Sequence, residues 1–158
     1  MIRLAWMVLG SLLMAGSAWA ANDEEAIRAL LIDTAKATSE FSRTRDVQLV
    51  MRSYAKEYVG IQDGEKETTE TIRQWLAEYG AELDKGSPVR FLGEVFDIQV
   101  RVAGSMAWAT YDYIFKMVRD GEIQGKDQGL CTSVLGKEGG LWFVQHEHCS
   151  KRSKGQGS

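Results

Sequence analysis

The sequence has little proline, little histidine and little cysteine: one Pro, two His and two Cys in 158 residues. Scarce proline removes the usual interruptions of regular structure, so long elements joined at the 16 glycines are expected. Two cysteines are too few for a disulfide-built mini-domain or a four-thiolate zinc site. Lys and Arg number 19 against 22 Asp and Glu, a formal charge of −3, and no basic stripe is present. A nucleic-acid partner is therefore not expected. No Gly-rich phosphate loop and no nucleophile elbow occurs, which disfavours nucleotide hydrolysis and serine hydrolase chemistry. No motif calls for a cofactor or a metal. With 44% hydrophobic and 26% charged residues the composition is that of an ordinary globular domain, and the length allows one.

The first twenty residues read as an address. Arg3 supplies a positive start, Leu4–Ala15 is apolar, and Ala18-Trp19-Ala20 has the small residues of a cleavage site. The run is well short of the roughly 20 residues a bilayer requires. A cleaved signal over Met1–Ala20 is expected, with a periplasmic or secreted product and no membrane contact after cleavage. In that compartment two cysteines pair more often than they bind metal.

Asn22-Asp23-Glu24-Glu25 has the cap and acidic first turn of a helix, and Ile27, Leu30, Leu31, Thr34, Thr38 and Phe41 follow at helical spacing. A helix to about Glu40 is expected, then a second over Arg45–Lys56. Tyr58–Ile61 and Lys66–Thr68 form a hairpin about Asp63-Gly64. A third helix opens at Thr68 and ends near Gly80, with Ile72, Trp75, Leu76 and Tyr79 as its apolar face. Beyond Pro88 the period becomes two: Phe96, Ile98, Val100 and Val102 alternate with polar residues. Strands over Met106–Val118, Leu130–Leu135 and Leu141–Ser150 follow, with Arg119–Lys126 as a Gly-rich connection. Lys151–Ser158 reads as a disordered tail. The fold class is α+β: three N-terminal helices packed on a strongly curved antiparallel sheet, with a conical hollow as the ligand site.

This order resembles the NTF2-like (nuclear transport factor 2-like) superfamily, in its SnoaL-like branch, and the association domain of the calcium/calmodulin-dependent protein kinase II family. The resemblance rests on Tyr54…Tyr58-Val59-Gly60-Ile61 before a Gly turn, on Val95–Val102, and on the ending Gly139-Gly140-Leu141-Trp142 through His146-x-His148-x-Ser150. It implies a domain over residues 21–150 and a homodimer or larger ring. It does not imply a reaction, because binding proteins, enzymes and assembly modules share the fold. The positions that carry pocket arginines in the kinase family fall on Ile114, Ser133 and Cys149.

Pairing Val102 with Met106 across a turn at Ala103–Ser105 puts Phe96, Ile98, Trp108, Thr110 and Asp112 on one face, and the resemblance implies that this face, with Ile114, Cys131, Glu147 and Cys149, is the concave one. With Tyr58, Trp75, Ser133, Phe143 and Gln145 these are the expected pocket residues. Asp112 and Glu147 are the candidate acids, since a carboxyl in an apolar hollow can carry a proton. Ala109, Tyr111, Tyr113 and Phe115 are then expected on an outer face that meets a partner subunit. Pairing Lys137 with Leu141 makes Cys131 and Cys149 diagonal neighbours, which a bulge or a one-residue slip would join in a disulfide. The alternative is two buried thiols. His146 and His148 lie opposite the pocket and lack a third histidine to complete a metal site. The leading expectation is a binder of a small, mostly apolar molecule. The rivals are a cofactor-free isomerase, dehydratase or hydrolase using Asp112 or Glu147, and an oligomerising hub-like module.

Overall fold

The computed structural model describes the chain over residues 12–152, with side chains from Asn22. All of the expected signal and all but the first two residues of the expected tail thus lie outside the described side chains. Helix α1 spans Leu12–Thr44 and α2 spans Val47–Met51. Strands β1 (Tyr54–Gln62) and β2 (Glu65–Thr68) form a hairpin, followed by α3 (Thr69–Asp84). Four long strands complete the domain: β3 (Val89–Ala103), β4 (Met106–Arg119), β5 (Glu122–Glu138) and β6 (Leu141–Lys151). They form one sheet in the order β2-β1-β6-β5-β4-β3. The last four strands pair antiparallel, whereas β1 lies parallel to β6. No helix among the described residues is long and apolar enough to cross a membrane.

Several element limits differ from those expected. Helix α1 does not begin at Asn22. It passes through that position unbroken, because Ala-rich sequence precedes it and nothing there stops a helix. The second helix is a single turn, capped by the Asp46 carboxylate accepting from Leu49 N (3.0 Å). Tyr54 leaves it to pair with Val144, so the stretch up to Lys56 is strand rather than helix. Gly80 does not end α3. Its carbonyl accepts from Arg45 Nη1 (2.8 Å), and the helix runs one turn further. Asp120-Gly121, both with positive φ, is a tight hairpin turn in place of the expected loop, and β5 begins directly after it. Lys151 closes β6 and bridges Asp63 (3.1 Å) and Asp127 (3.2 Å), so it belongs to the sheet rather than the tail.

The core fills the space between α1, α2, α3 and the concave side of the sheet. Ile27, Leu31, Phe41, Val50, Leu76 and Tyr79 from the helices meet Val100, Leu135, Trp142 and Val144 from the strands. An aromatic ladder of Trp75, Tyr79, Phe91 and Phe115 ties α3 to the far edge of the sheet, with ring centroids 4.8–5.7 Å apart. Helix α1 is bound to β3 through Ser39 Oγ, which accepts from Gly93 N (2.8 Å) and donates to Gly93 O (3.1 Å). The bend of β3 is not at Gly93, where pairing is regular. It is a bulge at Asp97, whose φ is 53° and beside which the register shifts between Phe96 and Gln99.

Candidate functional site

The sheet and helices enclose a cavity of about 770 Å³. Its walls carry Leu31, Thr34, Ala35, Thr38 and Val50 from α1 and α2, and Ile72 and Trp75 from α3. From the sheet come Tyr54, Val95, Tyr111, Tyr113, Phe115, Val144, Glu147 and the two cysteines.

The concave side of β3 and β4 is the opposite of the one expected. The turn is two residues, Gly104-Ser105, so Ala103 pairs with Met106 and Val100 with Ala109. Moving the pairing by one residue exchanges the faces of a strand. Ala109, Tyr111, Tyr113 and Phe115, expected outside, point inward. Phe96, Trp108, Thr110 and Asp112, expected in the pocket, lie on the outer side, where Phe96 is 40% and Trp108 48% exposed, whereas Ile98, beyond the Asp97 bulge, packs partly buried against the core. Ile98, Thr110 and Asp112 line a separate, open groove of about 490 Å³ at the Asp97 bulge. Asp112 is engaged there by the Arg152 guanidinium. Ile114 and Trp75 do line the cavity. Val59, Ile61, Phe96, Trp108 and Leu130 are among the exposed apolar residues.

In β6 a bulge at Gln145 supplies a second correction. Leu135 pairs with Val144 but Val134 pairs with His146. Before the bulge Trp142 and Val144 face inward, and after it Glu147 and Cys149 do. Phe143 therefore leaves the pocket, and Gln145 packs over Gly136 on the outer side. The bulge and the two-residue turn Gly139-Gly140 together advance the register by two, so Cys131 and Cys149 stand directly opposite and form a disulfide. Glu147 and both sulfurs lie within 4.8 Å of one another. With the sulfurs bonded to each other, no thiolate remains to hold a metal.

The polar centre of the cavity is Glu147. Its Oε2 accepts from Ser133 Oγ (2.7 Å) and from the Tyr111 hydroxyl, and no donor among the described residues engages Oε1. Ser133 is fully buried beneath the wall and is held by Tyr111 Oη at 3.0 Å. Glu67 on β2 is the second inner carboxylate, and it accepts from the Tyr58 hydroxyl at 2.9 Å. Tyr58 is thus buried behind the wall instead of forming it. The hydroxyls of Tyr54, Tyr58 and Tyr111 are all pushed above their ordinary range, first by burial and then by the charge of Glu147. They remain neutral donors. Tyr113 Oη is buried and has no hydrogen-bond partner among the described residues. Sequence reasoning missed Tyr54, Glu67, Tyr111 and Tyr113. The signal for Glu67 was its place in the strand leaving Asp63-Gly64, one residue before the helix cap Thr68.

Burial raises the Glu67 carboxyl above its ordinary 4.5, and the charge of Glu147 adds to the shift against the Tyr58 hydrogen bond. A raised carboxyl pKa means that ionised Glu67 costs the folded state free energy. That cost is absent below the ordinary value and complete above the raised one. Glu67→Gln, whose amide oxygen can still accept from Tyr58, is therefore expected to melt higher than the parent at pH 7. The advantage should vanish as pH falls to about 4.5. Melts from pH 4 to pH 8 read this, and an advantage independent of pH would contradict it.

A family model described as a SnoaL-like domain matches residues 31–152. Among solved structures, an NTF2-like protein with a cystatin-like fold from Novosphingobium aromaticivorans superposes with a TM-score of 0.70 at 12% identity, covering 94% of each chain. An NTF2-like protein of unknown function from Pseudomonas putida KT2440 gives 0.62 at 19% identity, over 86% of this chain and 91% of that one. A protein described as a calcium/calmodulin-dependent protein kinase II association domain, from Xanthomonas campestris, gives 0.59 at 20% identity, over 81% of this chain and 86% of that one. No curated protein matches. At these identities the structures speak for the fold alone.

Proposed function

Since this chain belongs to the SnoaL-like domain family, within the NTF2-like superfamily, we propose that it binds a small, mostly apolar molecule in the cavity described above. The observation that carries this reading is the cavity itself. Its 770 Å³ falls within the range of about 300–1,000 Å³ usual for small-molecule sites. Apolar and aromatic walls supply affinity, and a few polar groups at fixed places supply orientation. Among these, Glu147 Oε1 and Tyr113 Oη have no hydrogen-bond partner among the described residues.

The test uses a neutral apolar reporter, N-phenyl-1-naphthylamine, whose fluorescence rises on leaving water. The expected result is saturable binding with one site per chain. Thr38→Trp puts an indole into the cavity from α1 and is expected to weaken binding by at least about tenfold, as a lost apolar pocket should. Absence of saturation, or equal binding by a folded Thr38→Trp, overturns the reading.

A second reading, cofactor-free acid–base catalysis, is favoured by one feature. Glu147 is held at Oε2 by two hydroxyls while Oε1 is left to a ligand, the arrangement a positioned proton carrier needs. Asp112 lies on the other face, so Glu147 is the carboxylate available to it.

A further inference from the structure

The cavity holds an excess of negative charge that the protein does not neutralise. Six carboxylates and two lysines line it. One of those lysines, Lys151, is already committed between Asp63 and Asp127 at the mouth. Deeper in, Glu147 and Glu67 have no cationic partner at all: among the described residues neither belongs to any ion pair. Their donors are the hydroxyls of Tyr111, Ser133 and Tyr58, which stabilise a carboxylate without cancelling its charge. Burial makes the charge of Glu67 costly unless something of opposite sign comes to it. Around these groups stand the rings of Tyr54, Tyr111, Tyr113, Trp75 and Phe115. The face of an aromatic ring is electron-rich, attracts cations, and does so most strongly where water is excluded.

From the carboxylates and the rings together, we propose that the cavity selects an organic cation: an amine in its ammonium form, with an apolar body. The N–H groups donate to Glu147 Oε1, the positive charge is shared with Glu67, and the body packs on the rings. Tyr113 Oη supplies one further hydrogen bond to a polar atom along the body. An anion meets two like charges, and a neutral molecule gains apolar burial alone. This specificity rests on the binding reading above and adds the chemical class of the ligand. The upward shift of the Glu67 carboxyl, caused first by burial and in smaller part by the charge of Glu147, is in keeping with it.

Three probes of one chain length separate the possibilities: octylammonium, 1-octanol and octanoate, each displacing N-phenyl-1-naphthylamine at pH 7. Octylammonium is expected to bind at least about tenfold more tightly than 1-octanol, the size of a desolvated cation–π contact reinforced by an ion pair, with octanoate weakest. Glu147→Gln should remove most of that preference, weakening octylammonium far more than 1-octanol, because the amide keeps the shape and loses the charge. Glu67→Gln should reduce it in the same direction. Equal binding of octylammonium and 1-octanol, or an equal loss for both in Glu147→Gln, overturns the charge selectivity and leaves the cavity reading intact. A chain that does not bind the reporter overturns both.

Discussion

Replacing Cys131 and Cys149 together with alanine is expected to destabilise the protein by about 3 kcal/mol, equivalent to roughly 9 °C in melting midpoint for a chain of this size. The bond closes a loop with a sequence separation of 18. Removing a cross-link of that span frees the unfolded chain by about this amount in the chain-entropy account. Its location adds a local effect. Both residues are almost fully buried, and Cys149 is two residues from Glu147 on the same wall. The bond holds β5 to β6 at the point where β6 also carries Glu147 and pairs with β1. Calorimetry of the double variant reads the loss, and reduction of the parent chain should reproduce most of it. A midpoint within about 2 °C of the parent would show that the strands need no covalent tie.

Gly129→Ala is expected to cost about 3 kcal/mol or more, at the upper end of what overpacking a well-filled site produces. A Cβ there would stand 2.0 Å from the Ser150 carbonyl oxygen and 2.8 Å from Tyr113 Cε1. The nearest obstacle is backbone that pairs with Leu130, so it cannot swing aside as a side chain can. The close approach lets β6 cross β5 beside the Tyr113 ring, which is part of the cavity wall. The variant is therefore expected to lose reporter affinity along with stability. Gly125→Ala on the same strand is the control: nothing there lies closer than 4.0 Å, and a change within about 0.5 kcal/mol is expected. Equal midpoints for the two variants would refute the clash.

The α+β order, the four long strands and the family resemblance were legible because hydrophobic periodicity is local. Ile27–Phe41 at helical spacing and Phe96–Val102 in alternation can form those elements almost regardless of what they touch. Residues Glu122–Gly129 were not legible as strand, because their polar, Gly-containing sequence carries no alternation. They are strand because Asp120-Gly121 folds them back onto β4, and that dipeptide was the missed signal. The candidate site divides in the same way. Glu147, Cys131 and Cys149 line the cavity, but Asp112 lies outside it with Phe96, Trp108 and Thr110.

By itself, then, the amino-acid order determined which segments are helix and which are strand, that the strands follow one another as hairpins, and that a polar group would sit among aromatics. Only the tertiary structure decided which set of alternate residues looks into the hollow. A strand presents two faces that differ by a single residue of register, and that register is set by the length of a turn and by bulges at Asp97 and Gln145. Each of these is a choice among backbone geometries of nearly equal local energy. The packing of α1 and α3 against one face settles it, and no window of sequence contains that contact.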